Sequence, residues 1–107
     1  MMNKYKNTKT KIDNIVFDSK KEALRYQQLK LLLKAGEIIR LELQPVFKLE
    51  VNGQKICTYK ADFRYFEKNI LGEWSPVVED VKGAKTQVYI LKRKLMKALL
   101  SITIKET

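Results

Sequence analysis

The chain contains no histidine in its 107 residues. That absence removes Ser-His-Asp and Cys-His catalysis, and any zinc or iron site that needs imidazole ligands. Chemistry here must rest on carboxylates, Lys, Tyr, Ser or Thr, or on an oxygen-liganded metal. Cysteine is nearly absent as well. Cys57 stands alone, so no internal disulfide is expected and a reducing compartment is. No apolar run approaches the length needed to cross a bilayer, and no signal peptide is expected before the domain. No long helix pairs a basic face with a bulky aromatic edge, so a membrane partner is not expected. A cytoplasmic location follows. No internal repeat is visible. Acids are the minority charge: 12 Asp and Glu stand against 22 Lys and Arg, a net charge of +10. Such a surface favours a polyanionic partner, nucleic acid first.

What is present is enough for one domain. Apolar residues make up 45% of the chain, so it should bury a core without disulfides. Residues 1–11 form a basic arm, with Lys4, Lys6, Lys9 and Lys11 among polar residues. The arm is either a solvated terminus or a phosphate-touching tail, and composition does not choose between them. Residues 12–107 form the single domain. It begins with a small hairpin, Ile12 to Phe17, turning at Asp13-Asn14.

Ser19 opens a helix to about Ala35, stopped by Gly36. Its apolar stripe is Ala23, Tyr26, Leu29, Leu32 and Leu33. Glu22 lies at the stripe's edge. It either closes a capping box with Ser19 or points inward as an acid. Ile38 to Leu43 is apolar with interspersed charge and ends at Gln44-Pro45, where helix is blocked. Phe47 to Val51 alternates as a strand, Asn52-Gly53 marks a hairpin, and the return strand runs from about Ile56 to Phe66. Asp62 sits in the middle of that aromatic strand, where Asp is disfavoured. Either it pairs with Lys60 or Arg64 on a solvated face, or it has another role.

After a loop at Glu67 to Glu73, the third strand covers Trp74 to Lys82 and pairs antiparallel with the return strand. Asp62 can then lie close to Asp80. Within Val77-Val78-Glu79-Asp80-Val81-Lys82-Gly83, alternation puts Val78, Asp80 and Lys82 on one face. A carboxylate and an ammonium two residues apart at a strand end can hold a hard cation beside a water or phosphate. Thr86 caps a second helix to about Leu100, with Val88, Leu91, Leu95, Ala98 and Leu99 as its expected buried stripe. Its basic residues Lys92, Arg93 and Lys97, with Lys85 just before it, are expected to contact DNA phosphates. Ile102 to Ile104 reads as a short last strand.

The order helix, three strands, helix, strand, with Glu22 on the first helix, Asp62 on strand two and Asp80-Val81-Lys82 on strand three, resembles the PD-(D/E)xK nuclease superfamily. The resemblance covers about Ser19 to Ile104. The runs Phe17-Asp18-Ser19-Lys20-Lys21-Glu22-Ala23, Leu41-Glu42-Leu43-Gln44-Pro45, Ala61-Asp62-Phe63 and Val78-Glu79-Asp80-Val81-Lys82-Gly83 resemble a family of small phage-encoded proteins related to those nucleases. Ala61 stands where the superfamily motif usually has Pro.

The resemblance implies an α/β fold, a restriction-endonuclease-like αβββαβ core with a mixed sheet flanked by two helices. It implies a Mg²⁺-dependent DNA endonuclease, with Mn²⁺ as a substitute, encoded by a phage or prophage and acting in the bacterial cytoplasm on branched, Holliday junction-like DNA in phage recombination or packaging. Asp62, Asp80 and Glu22, with the Val81 carbonyl, would hold the metal. Lys82 would act on the attacking water or on developing charge, and Gln44 would line the site. Glu22 shifts from cap to metal site under this pattern. A homodimer is expected, because a junction has two strands to cut. The alternatives are a DNA-binding accessory protein that keeps the fold without cleaving, and a structural protein whose charge aids assembly on nucleic acid.

Overall fold

The computed structural model describes residues 9–107. Most of the expected basic arm, residues 1–8, lies outside the described residues. Of its remainder, Thr10 and Lys11 belong to β1, Thr10–Ile12, which pairs antiparallel with β2, Ile15–Phe17. The hairpin turns at Asp13 and Asn14, both at positive φ, a conformation these short polar side chains tolerate.

Helix α1 spans Lys20–Lys34. Ser19 caps it in extended conformation, its hydroxyl accepting the Glu22 N–H at 3.1 Å. At the other end the Gly36 N–H donates to the Leu33 carbonyl and the Glu37 N–H to that of Leu32. With Gly36 at φ +79, this is the paired-bond stop in which a left-handed residue frees the chain from the helix. Ala23, Tyr26 and Leu29 are buried as the stripe requires, and Leu32 packs beside them. Leu33 is exposed.

The remaining strands are β3 (Ile38–Leu43), β4 (Val46–Val51), β5 (Gln54–Lys60), β6 (Phe63–Lys68), β7 (Trp74–Asp80) and β8 (Lys105–Glu106). The central sheet is mixed, ordered β3-β6-β7-β8, antiparallel except for the parallel β7–β8 pair. β4 and β5 form a separate ribbon turning at Asn52-Gly53. The expected single strand Ile56 to Phe66 is therefore two strands, broken at Ala61-Asp62. The paired strand of the hairpin breaks opposite, at Gln44-Pro45. The Gln44 N–H donates to the Asp62 carbonyl at 2.9 Å and the Ala61 N–H to the Pro45 carbonyl at 3.1 Å. One long hairpin thus bends sharply between ribbon and sheet. Pro45, without an N–H, and Gln44, at φ 51, supply the corner. Asp62 sits at that bend, where a residue poor in strand propensity does not interrupt a ladder.

Two cores result. On one sheet face α1 and the first hairpin cover Phe63 and Tyr65. On the other, helix α2, Gln87–Leu100, and the ribbon cover Val78, Leu49 and Tyr59. Thr86 caps α2 as expected, accepting the Tyr89 N–H at 3.1 Å. The expected buried stripe is used only in part: Leu95 and Leu99 pack against the core. Val88 is 63% and Leu91 59% exposed, and Ala98 is exposed, while Tyr89 and Met96 are buried. The helix is rotated because the Tyr89 hydroxyl and Arg93 guanidinium both reach Glu106, which fixes their face toward the sheet. The last strand also shifts. Ile104 is buried, but pairing begins at Lys105, with Lys105 opposite Glu79 and Glu106 opposite Asp80.

Among the described residues, no helix is long and apolar enough to cross a membrane. Over the described residues the architecture is mixed α/β, with two helices and a mixed central sheet.

Candidate functional site

The end of β7 meets the N-terminal turns of α1 and the hairpin bend. β6 and β7 are antiparallel, with Phe63 opposite Glu79. That register brings Asp62 to the end of β7, where its N–H donates to the Glu79 carbonyl at 3.2 Å and its Oδ2 accepts the Val81 N–H at 2.7 Å. A cleft of ≈ 630 Å³ opens there, lined by Asp18, Ser19, Glu22, Asp62, Val81 and Lys82 among others. Four of the sequence-predicted site residues therefore share one cleft, and Asp80 lies buried next to Val81.

Glu22 is 7% exposed. Only half of a capping box forms: Ser19 caps, but among the described residues the Glu22 carboxylate makes no hydrogen bond back to the cap. Burial, then the negative charges of Asp62, Asp18 and Asp80, push it up to about 7. Burial raises Asp62 as well, against the Val81 N–H and the Lys82 charge, which pull it down.

Asp80 is 1% exposed. Its Oδ1 lies 3.7 Å from Lys82 Nζ, while its Oδ2 is buried with no hydrogen-bond partner among the described residues. Burial pushes it up to about 6, although Lys82 and the Asp62 backbone N–H oppose this and Glu106 adds to it. An orphaned buried carboxylate oxygen is costly unless a proton or a cation satisfies it.

Lys82 is held from several sides. Its Nζ sits 4.2 Å from the centre of the Tyr89 ring, its N–H donates to the Thr107 carbonyl, and its own carbonyl accepts Lys21 Nζ at 3.0 Å. β7 ends at Asp80, so Lys82 extends from the cleft rim rather than from the strand. Gln44 reaches Asp62 through its backbone. Its side chain is exposed and is not among the lining residues.

The oxygens of Glu22, Asp62, Asp80 and the Val81 carbonyl are a hard donor set, the kind that Mg²⁺ accepts. The orphaned Asp80 oxygen fits such an ion. The carboxylates are neighbours rather than a closed shell: among the described residues no three acidic or thiol side chains are drawn into a ready metal-binding group.

Two acids escaped the sequence reading. Glu79 is 0% exposed. Arg25 donates to it from both Nε, at 2.6 Å, and a terminal nitrogen, at 3.0 Å; Tyr65 and Thr107 hydroxyls also donate to it. Burial alone would raise its pKa, but these donors outweigh burial and hold the carboxylate below its ordinary range. The signal was available: a charge on the apolar Val77/Val81 face of a strand needs a partner, and α1 offers Arg25 one turn beyond Glu22.

The other acid is Glu106. It accepts the Tyr89 hydroxyl at 2.7 Å and Arg93 at 2.9 Å, with Lys85 Nζ at 3.2 Å. The Tyr89 hydrogen bond, then the two cations, pull it down to about 2. Of the four residues expected at DNA, Lys85 and Arg93 are thus engaged by Glu106. Lys92 and Lys97 form no ion pair among the described residues, and Lys97 is exposed.

No curated protein and no solved structure matches the chain. A family model described as "Protein of unknown function (DUF1064)" matches residues 2–103, and the chain belongs to that family.

Proposed function

We propose that this DUF1064 protein is a Mg²⁺-dependent DNA endonuclease with a PD-(D/E)xK-type core, phage- or prophage-encoded, that works in the cytoplasm as a homodimer on branched DNA. One observation carries the reading. Glu22, Asp62, Val81 and Lys82 line one cleft, and beside it Asp80 holds a buried oxygen with no hydrogen-bond partner among the described residues. The central sheet's element order, α1, β3, β6, β7, α2, β8, is compatible with the core the sequence resembles.

Phosphodiester hydrolysis adds a water oxygen to phosphorus and expels an alkoxide, so negative charge grows at the phosphoryl group. Asp62 and Asp80, with Glu22 and the Val81 carbonyl, would hold Mg²⁺, which when bound acidifies water and offsets that charge. Lys82, steadied by Asp80 and Tyr89, supplies a compact positive charge at the rim for the attacking water or the phosphoryl oxygens. In the metal-free protein Glu22, pushed up to about 7, can exchange a proton at its carboxylate in the neutral range, and it must give up that proton to serve as a ligand. The excess of basic residues draws the polyanion toward acids that would otherwise repel it.

A second reading is a DNA-binding accessory protein that keeps the nuclease fold and does not cleave. Lys82→Ala separates the two. Under the nuclease reading it binds DNA nearly as wild type in Ca²⁺, yet cuts linear, flapped or four-way DNA ~100-fold more slowly in single-turnover assays with Mg²⁺. Lys82→Arg does not restore cutting fully, since a planar fork does not fill the place of a compact ammonium. If wild type cleaves none of these forms, or if Lys82→Ala loses affinity and rate in equal proportion, the nuclease assignment fails.

A further inference from the structure

A second cavity, of ≈ 660 Å³, shares no residue with the acidic cleft. It lies on the sheet face opposite α1. The register places Glu42 opposite Arg64, Arg64 opposite Val78, and Phe66 opposite Pro76, so alternation puts these side chains on the groove side. Phe47 of the ribbon and residues 101–103 after α2 close its edges.

The charge inside is arranged unusually. Arg64 forks onto Glu42, at 2.8 and 2.7 Å, and its guanidinium lies 5.3 Å from the Phe47 ring centre. That pair is neutral, so the Glu42 carboxylate does not repel an anion at full strength. Arg40 is different. The register of β3 slips between Ile39 and Glu42, and Arg40 takes φ 55 within the slip, a left-handed conformation that is strained for a non-glycine residue. Bulges of this kind re-aim a side chain. Here the guanidinium is carried over the Phe66 ring, 5.9 Å from its centre. Among the described residues no carboxylate lies within ion-pair range of Arg40, so its charge is uncommitted.

The groove therefore presents flat π faces, an apolar floor at Pro76 and Val78, and one free guanidinium. Its ligand must have a planar ring to stack and an anion within a few ångströms of that ring. We propose that the groove binds an unpaired nucleotide of DNA, with its base on the Phe66–Arg40 or Phe47–Arg64 faces and its phosphate at Arg40. Bases inside a duplex are stacked on one another and have no free face to offer. The substrate class is thus DNA with a single-stranded segment, such as a fray, flap or junction arm. This deepens the nuclease reading and rests on it for the identity of the polyanion.

The test is binding rather than cleavage. Affinities of the full chain for a short oligothymidylate and for a blunt duplex are measured in Ca²⁺ by fluorescence anisotropy. Arg40→Gly removes the guanidinium and suits the left-handed backbone, so folding is protected; Phe66→Leu removes the ring and keeps bulk. Each should weaken oligothymidylate binding by about 10-fold, the effect of one lost stacking partner, with duplex affinity little changed. Oligothymidylate carrying 5-iodouracil should photocrosslink to the peptide containing Phe47 or Phe66. Unchanged single-strand affinity in both variants, an equal loss on duplex, or crosslinks confined to other peptides overturns the proposal. Wild type that cleaves while Arg40→Gly binds single strands normally would remove the groove and leave the nuclease reading standing. The reverse result, selective loss of single-strand binding in a chain that cuts nothing, would remove the nuclease reading alone.

Discussion

Glu79 and Asp80 are consecutive, both fully buried, and electrostatically opposite. Glu79 points to the α1 side, where Arg25, Tyr65 and Thr107 donate to it, and it stays ionised. Asp80 points the other way, has one ammonium at 3.7 Å and, among the described residues, an oxygen with no hydrogen-bond partner, and burial pushes its pKa up to about 6. The same strand end thus carries a satisfied carboxylate and an unsatisfied one, 0% and 1% exposed. Burial alone does not mark a functional acid. What separates them is whether the fold supplies donors. Glu79 clamps β7 to α1, which sets where Glu22 and Asp80 stand. Asp80 keeps one oxygen without a donor among the described residues.

The largest effect should come from breaking the closed side. Arg25→Ala strands the Glu79 charge in the core, and loss of one partner of a buried pair typically costs about 3–5 kcal/mol. Urea unfolding should show a midpoint reduced accordingly. Arg25→Met, tested with Glu79→Leu, should recover most of the loss, because an apolar pair leaves no unpaired charge. Full stability in Arg25→Ala would mean that the clamp contributes nothing.

The open side should announce itself through pH. Asp80 and Glu22 have folded pKa values raised to about 6 and about 7. Their unfolded values are near 4, so the native state binds protons that the unfolded state has released. The stability they contribute is full below about pH 4 and is lost as pH rises through 6 to 7. The loss per group is on the order of 3 kcal/mol at most. Glu79 runs the opposite way: its lowered value gives stability present above about pH 4.3 and lost as pH falls further. In the metal-free protein, thermal stability should therefore decline between pH 5 and 8 on the order of these shifts. Asp80→Asn should flatten the decline, and Mg²⁺ should raise the melting temperature more at the alkaline end, since ligand oxygens must be deprotonated. A flat wild-type profile over that range would put Asp80 and Glu22 in ordinary solvated environments.

How far the sequence disclosed this contrast depended on range. Local signals succeeded. Ser19 and Gly36 bound α1, Asn52-Gly53 turned the ribbon, Thr86 capped α2, and antiparallel β6 and β7 brought Asp62 to the end of β7. Distant partners were invisible. α2 carries two candidate apolar stripes, one through Val88 and Leu91 and one through Tyr89 and Met96. Periodicity cannot rank them, and Glu106, 17 residues beyond Tyr89, decides. Glu79 read as one more charge because Arg25 lies 54 residues away. The bend at Asp62 was hidden because alternation of buried residues with exposed or half-buried ones continues across it from Tyr59 to Tyr65, although the ladder partner changes.

The smallest expected effect belongs to the basic surface, where the same distinction between committed and uncommitted charge applies. Arg93 and Lys85 already serve Glu106, so a phosphate must compete with that carboxylate for them. Lys92 and Lys97 carry no such obligation among the described residues. Removing an exposed phosphate contact weakens binding to all sequences alike and reduces the slope of log affinity against log salt by about one unit. Lys92→Ala and Lys97→Ala should each show that change with duplex DNA. Arg93→Ala should show less, and should instead lower stability modestly by releasing Glu106. Binding titrations across a salt series, with a thermal melt of each variant, distinguish these patterns. If Arg93→Ala changes the salt slope as much as Lys97→Ala while leaving the melt untouched, Glu106 does not hold Arg93 in solution, and the whole basic face of α2 is available to DNA.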